Sequence, residues 1–286
     1  MGFLIALISA VSATAKDIVS KSLASRVHPD LSTFASFLFA LPFYLVVMLI
    51  AQLLGWQPLS YSGAFFSLVL MRGISDVFAE GFKMKAFANG DISLVTSFLA
   101  LSPLILALLS PYITGDRVTT HDYIALGLIV SGSLLLIRRD QSTGKVIQLK
   151  AVVYAILASV AFALNSCFDR LAVVHSGALV SGFAMTVMAG LLCAPMAFRH
   201  RGALEQLSAN SRPFLARGAW ETVFMVSKLL AMSILEAHVV LGISRISLIL
   251  SVLAGRKMFG ERDTGRRLFA AGLMYLGLIV LLLGHV

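Results

Sequence analysis

Residues 72–83 read RGISDVFAEGFK, and 145 positions further on residues 217–228 read RGAWETVFMVSK, each within an apolar stretch. Arg72, Asp76, Lys83 and Asp91 in the first region match Arg217, Glu221, Lys228 and Glu236 in the second, sign for sign. An ionisable side chain in hydrocarbon costs about 2.5–3.5 kcal/mol even on the lenient insertion scale, so a stretch carrying several must turn them toward one another or toward water. The recurrence therefore predicts a doubled membrane unit with a polar cavity inside a helical bundle.

The composition agrees. Of 286 residues, 58% are hydrophobic and 13% charged, at a mean hydropathy of +0.91, whereas soluble domains carry about a quarter charged residues. Apolar runs near twenty residues suit α-helical spans and not the alternating pattern of an outer-membrane barrel. Ten spans are expected: 2–23, 32–54, 63–86, 92–113, 121–137, 151–173, 177–198, 214–236, 239–257 and 267–284. The fold class is thus all-α integral membrane, with ten transmembrane helices as two five-helix inverted repeats. An N-terminal repeat at 1–137 is joined by a cytoplasmic connecting loop at 138–150 to a C-terminal inverted repeat at 151–286.

The repeat is also written at the end of each half. Thr114–Arg117 and Phe259–Arg262 each place Gly, an acid and Arg before an apolar helix, where Gly127 and Gly132 match Gly272 and Gly277. These glycines predict a face on which a neighbouring helix packs closely. Near the chain start the offset becomes 149, which sets Lys16 over Asn165 and Lys21 over Arg170. Five helices per half is an odd number, so the second half enters the membrane from the opposite side, the pattern of secondary transporters with a site near the midplane.

Basic residues give the orientation. Arg26, Lys85, Arg138, Arg139, Arg199, Arg201, Arg256 and Lys257 follow odd-numbered spans, while Arg117 stands nearly alone after even-numbered ones. Odd-span loops are expected in the cytoplasm and both termini outside. A net charge of +9 would suggest nucleic acid in a soluble protein; here topology and anionic headgroups account for it, and no nucleic-acid partner is expected. Ala13, Thr14 and Ala15 imitate a signal cleavage site, but no basic segment precedes them, and the run is read as a retained span.

At about 100° per residue, Arg72, Asp76, Glu80 and Lys83 fall within roughly 80° on span 3 and form one polar stripe. Span 8 repeats it through Arg217, Glu221 and Lys228, with Met225 at the place of Glu80. Opposite charges at i and i+4 neutralise each other along one helix, so Arg72–Asp76 and Arg217–Glu221 serve equally well as structural clamps. Asp76, Glu80 and Glu221 are the proton-coupling candidates, since dehydration and neighbouring charge act on a membrane carboxylate in opposite directions. Lys16 faces inward on span 1 with Ser9, Ser12 and Ser20, whereas Asp17, Lys21, Asp169 and Arg170 are expected near helix ends, the cations snorkelling to the interface.

Arg245 on span 9 has no acid on its own helix and needs an outside partner: Glu236, Glu221 or an anionic substrate. Ser102 and Pro103 sit in span 4, where proline frees a carbonyl and makes a kink with Ser97 and Ser102 as candidate ligand contacts. Cys167 and Cys193 fall in spans, outside any disulfide-forming loop. No GxxxxGK[ST] loop, HExxH or cysteine cluster occurs, and the six histidines have no metal-ligand spacing, so neither ATP hydrolysis nor a metal centre is expected and no cofactor is required.

Ser102–Pro111 with Gly115–Arg117, and Ser247–Gly255 with Gly260–Arg262, give the chain its resemblance to the EamA-type branch of the drug/metabolite transporter superfamily. The resemblance covers nearly the whole chain. It implies a ten-helix inner-membrane carrier, monomeric or homodimeric, that moves small metabolites by alternating access without ATP. This sequence departs from the pattern in its density of membrane charge, and Leu248 stands where a proline is expected opposite Pro103. The expected cargo is a small charged or zwitterionic metabolite, amino-acid-like or an organic anion. Lys16, Arg72 and Arg245 hold its anionic group, Asp76, Glu80 and Glu221 a cationic group or proton, and Ser102 and Asn165 supply neutral hydrogen bonds. A flippase of a lipid-linked phosphosugar and an intramembrane lipid-headgroup enzyme are the alternatives.

Overall fold

A computed structural model of the chain describes residues 1–24, 26–55, 63–90, 95, 98–99, 101–135, 149–247, 250 and 264–284. Within them the backbone is helix, turn and bend, with no strand. The helices are α1 (Gly2–Ala24), α2 (Pro29–Leu38), α3 (Leu41–Leu53), α4 (Gly63–Asn89), α5 (Ser102–Ile113), α6 (Thr120–Leu135), α7 (Leu149–Ser176), α8 (Ala178–Ala197), α9 (Ala203–Ala209), α10 (Ser211–Met232), α11 (Ala237–Ser244) and α12 (Thr264–Leu283).

Local chemistry sets their ends. His28 caps α2, its ring accepting the Asp30 N–H, and Pro29 occupies the first turn, where a missing N–H costs nothing. The expected second span is two helices, broken at Phe39–Ala40 just before Pro42, whose ring cannot continue the preceding turn. Thr119 and Asp122 form a reciprocal cap on α6: Asp122 Oδ2 accepts the Thr119 N–H at 2.8 Å, and Thr119 Oγ1 accepts the Asp122 N–H at 3.3 Å. Gly177 alone separates α7 from α8, at φ +78°, a conformation that favours glycine.

Other details differ from the sequence expectation. Pro103 lies in the first turn of α5, so it opens a helix where a mid-span kink was expected; Ser97 lies outside the described residues. The 199–213 stretch, expected as a loop, contains α9. Positions 136–148, which make up most of the connecting segment, lie outside the described residues, as do Leu248, Gly255 and Gly260–Arg262. Among the described residues four helical stretches are long and apolar enough to cross a membrane: Gly2–Ala24, Pro29–Leu53 taken through its break, Leu149–Ser176 and Ala178–Ala197. The charge stripe itself keeps α4 and α10 from that apolar group.

Packing recurs at the repeat offset. The pair α4 and α7 packs as α10 and α1 do, while α2 packs on α8 and α6 on α12. In the last pair a Cβ on Gly132 would sit 2.7 Å from the Ala270 carbonyl oxygen, and one on Gly277 2.6 Å from that of Ala125. Gly127 and Gly272, expected on the same face, have nothing within 4 Å, so one glycine of each pair makes the close approach. The bundle is apolar outside and charged inside: Leu49, Phe66 and Leu191 are more than 60% exposed, while Arg72, Glu80, Lys83 and Arg217 are at most 3% exposed. That distribution fits a lipid surround.

Candidate functional site

Helices α1, α4, α7, α10 and α11 enclose a cavity of about 100 Å³ whose lining includes Lys16, Arg72, Asp76, Glu80, Glu221 and Arg245. A water needs roughly 10–15 Å³ by such a measure, so the space admits several waters or a small metabolite. Two ion-pair networks border it.

The first network centres on Arg72. Its Nη1 lies 2.6 Å from Asp76 Oδ2 on the same helix, and its Nε lies 2.6 Å from Asp169 Oδ1 on α7. Asp169 Oδ2 accepts from Lys228 Nζ of α10 at 2.7 Å, and Lys228 also donates to Ser166 Oγ at 3.2 Å. Asn165 Nδ2 donates to Asp76 Oδ1 at 2.9 Å. Asp169 was expected near a helix end; it is fully buried at the centre of this network. The signal missed was its place one turn beyond Asn165, on the inward face of span 6.

The second network centres on Glu80 and Arg217. Glu80 Oε1 accepts from Lys83 at 2.7 Å, and Glu80 Oε2 accepts from Arg217 Nη2 at 3.0 Å. Lys16 Nζ lies 3.1 Å from Glu221 Oε2 and 3.9 Å from Glu80 Oε1, over the Phe224 ring at 4.0 Å. Lys83 reaches Asp17 Oδ1 at 3.5 Å, and Arg217 Nε donates to Ser20 Oγ at 2.7 Å. The i,i+4 clamps are thus of unequal strength, since Arg217 Nη1 is 3.8 Å from Glu221, its own-helix partner. Asp76 and Glu80, one turn apart, belong to different networks.

Lys21 Nζ donates to the carbonyls of Phe87 at 2.8 Å and Gly90 at 2.7 Å, and Arg170 Nη1 donates to the Met232 carbonyl. Each cation satisfies the negative end of the charged helix in its own half, α4 for Lys21 and α10 for Arg170.

Arg245 stands apart. Its Nη2 donates to Ser102 Oγ at 2.7 Å, joining two residues singled out in the sequence. Its Nε is buried with no hydrogen-bond partner. Among the described residues no carboxylate lies within 4.0 Å of it; the expected acids do not reach it, Glu236 facing His238 at 3.7 Å and Glu221 facing Lys16. The cavity therefore combines cations matched by anions with one guanidinium that is not. All eight sequence candidates meet here, six lining the cavity and Ser102 and Asn165 bonded to its lining.

Tertiary structure also brings together residues that sequence spacing did not connect. His28, Asp30 and His200 converge at the ends of α2 and α8, with ligand atoms within 4.8 Å of one another.

An apolar-faced helical bundle around a charged cavity is the design of an integral membrane protein. The chain belongs to the EamA-like transporter family, whose model matches residues 1–138 and 149–283. It is a membrane transporter of the drug/metabolite transporter superfamily. A solved structure described only as a crystal structure of a protein shares the fold, at TM-score 0.75 and 16% identity, over 99% of this chain and 98% of that one. No curated protein matches the chain significantly.

Proposed function

We propose that the chain is a secondary transporter for a small metabolite carrying an anionic group, bound in the central cavity with Arg245 as its charge partner. One observation carries this reading: Arg245 is the cavity cation with an orphaned donor and no acid within reach. A buried unpaired charge is strongly unfavourable, and a carboxylate or phosphate on Nε and Nη2 relieves it by the bidentate geometry that arginine favours. Ser102 orients the guanidinium. Lys16 and Arg72 add positive potential, while Asp76, Glu80 and Glu221 accept an ammonium group if the cargo is zwitterionic.

The architecture proposed is ten spans in two inverted five-helix repeats, 1–137 and 151–286, with the 138–150 segment cytoplasmic, in a bacterial inner membrane and working by alternating access. The matched packing of α4 on α7 and α10 on α1 supports it, as do the two segments of the family match. Of the three proton-coupling candidates, Glu221 is held most loosely, at 3.1 Å by Lys16 and 3.8 Å by Arg217.

Purified protein screened by thermal shift against carboxylates, organophosphates, amino acids, polyamines and nucleosides tests the substrate class. Stabilisation by anions or zwitterions is expected, and stabilisation by polyamines alone overturns the reading. Arg245→Met is expected to weaken binding and liposome uptake of the identified solute at least about thirtyfold, the equivalent of roughly 2 kcal/mol. Normal uptake by that variant removes Arg245 from the site. Uptake that ignores an imposed pH gradient removes proton coupling.

A further inference from the structure

The His28, Asp30 and His200 cluster lies outside the charge networks, at the start of the Pro29–Leu53 stretch and just beyond the end of Ala178–Ala197. Asp30 Oδ2 is 3.7 Å from His28 Nδ1 and 3.4 Å from His200 Nε2. The two imidazole ring centroids lie 3.7 Å apart, with the rings tilted 35° from one another. Zinc bonds of about 2.0–2.1 Å in a tetrahedron set neighbouring ligand atoms about 3.3 Å apart. Both carboxylate–imidazole separations are within a few tenths of an ångström of that spacing. The three ligand atoms all lie within 4.8 Å of one another, and the side chains are partly open to water, so the two rings can swing apart to receive an ion.

His28 Nδ1 also accepts the Asp30 backbone N–H at 3.3 Å, and an ion bound at that single lone pair takes the place of this contact. Lys85 Nζ is 4.0 Å from the other Asp30 oxygen, Oδ1.

We infer that His28, Asp30 and His200 form a site for a borderline divalent transition ion of the zinc class, three protein ligands leaving a fourth position for water. Two imidazoles and one carboxylate select zinc, cobalt or nickel over magnesium and calcium, which prefer all-oxygen shells. The ion ties the loop entering α2 to the turn leaving α8, elements from opposite halves of the chain. Imidazole ligates metal only in its neutral form, so protons compete with the ion.

The test uses the full chain in detergent, with any affinity tag removed and residual metal chelated, titrated with zinc chloride by calorimetry and thermal unfolding. One zinc per chain is expected, with an unfolding temperature that rises with free zinc. Cobalt should give the intense visible bands of a tetrahedral site. His28→Gln, His200→Gln and Asp30→Asn should each weaken zinc at least about tenfold, while Lys85→Met tightens it. His200→Gln, which leaves the α2 cap in place, should keep the metal-free unfolding temperature of the parent, whereas His28→Gln also removes that cap and is judged by its zinc titration. Absence of saturable one-to-one binding, binding that survives the double histidine variant, or preference for magnesium or calcium overturns the assignment.

Discussion

Arg72 and Arg217 occupy equivalent places in the two halves, and each aims its Nε at an equivalent position on the helix packed against it. Arg72 finds Asp169 there at 2.6 Å; Arg217 finds Ser20 at 2.7 Å. A hydroxyl cannot balance a guanidinium charge, and the second network recovers the missing anion from Glu80, which lies 3.0 Å from Arg217. Glu80 in turn corresponds to Met225, a position the first network has no use for as an acid. Arg72 and Lys228 therefore face Asp76 and Asp169, while Lys16, Lys83 and Arg217 face Asp17, Glu80 and Glu221. Each set sums to zero. The halves have diverged in which residue supplies each charge and have kept local neutrality, because an uncompensated ion in this environment is far costlier than a changed partner.

The most damaging way to break the comparison is to remove an anion. Asp169→Ala leaves Arg72 and Lys228 short of their shared carboxylate and should cost about 3–5 kcal/mol, the usual penalty for breaking a buried pair. Thermal unfolding of the purified variant measures it, and a loss below about 1 kcal/mol would mean that the network is slack.

Glu80→Met gives the first half the residue that the second carries at this position and should be nearly as damaging. Adding Ser20→Asp then rebuilds the first network's arrangement around Arg217 and should restore at least half of the lost stability. An additive double variant would show that Glu80 and position 20 do not exchange roles.

The glycines beside the arginines sharpen the contrast at smaller scale. A Cβ on Gly218 runs into the backbone of Phe39 and Ala40, whereas one on Gly73 meets the flexible Met188 side chain. Gly218→Ala should cost about 1–3 kcal/mol as an overpacked site, and Gly73→Ala less than that. Equal effects in chemical denaturation would contradict the asymmetry. Least of all, Lys21→Met should cost about 1–2 kcal/mol by uncapping the Phe87 and Gly90 carbonyls, and Arg170→Met a comparable amount.

Much of the cavity was legible in advance because charge at helical spacing within apolar runs has few physical solutions. The Arg72–Asp76 pair and the inward placement of Lys16, Asn165 and Glu221 follow from stripes on spans 1, 3, 6 and 8, whereas the Lys16–Glu221 and Asn165–Asp76 contacts come from the tertiary structure. Asp169 was placed wrongly because its neighbour Arg170 is a capping residue, and the two adjacent charges were read as one interfacial pair. Adjacent residues on a helix diverge by about 100°, enough to send one to the core and the other to a carbonyl. Of the partners left open for Arg245, the two acids do not reach it, because proximity in sequence to Glu236 says nothing about where that side chain turns.

Sequence alone determined that this chain is a doubled bundle of membrane helices with ionisable groups turned inward, since hydropathy and the cost of exposing charge to lipid act on every residue whatever its partners. Tertiary structure alone decided which anion balances which cation, left Arg245 with a hydroxyl and no acid, and set His200 beside His28. Those outcomes depend on the rotation and register of whole helices against one another, and a one-dimensional periodicity leaves both free.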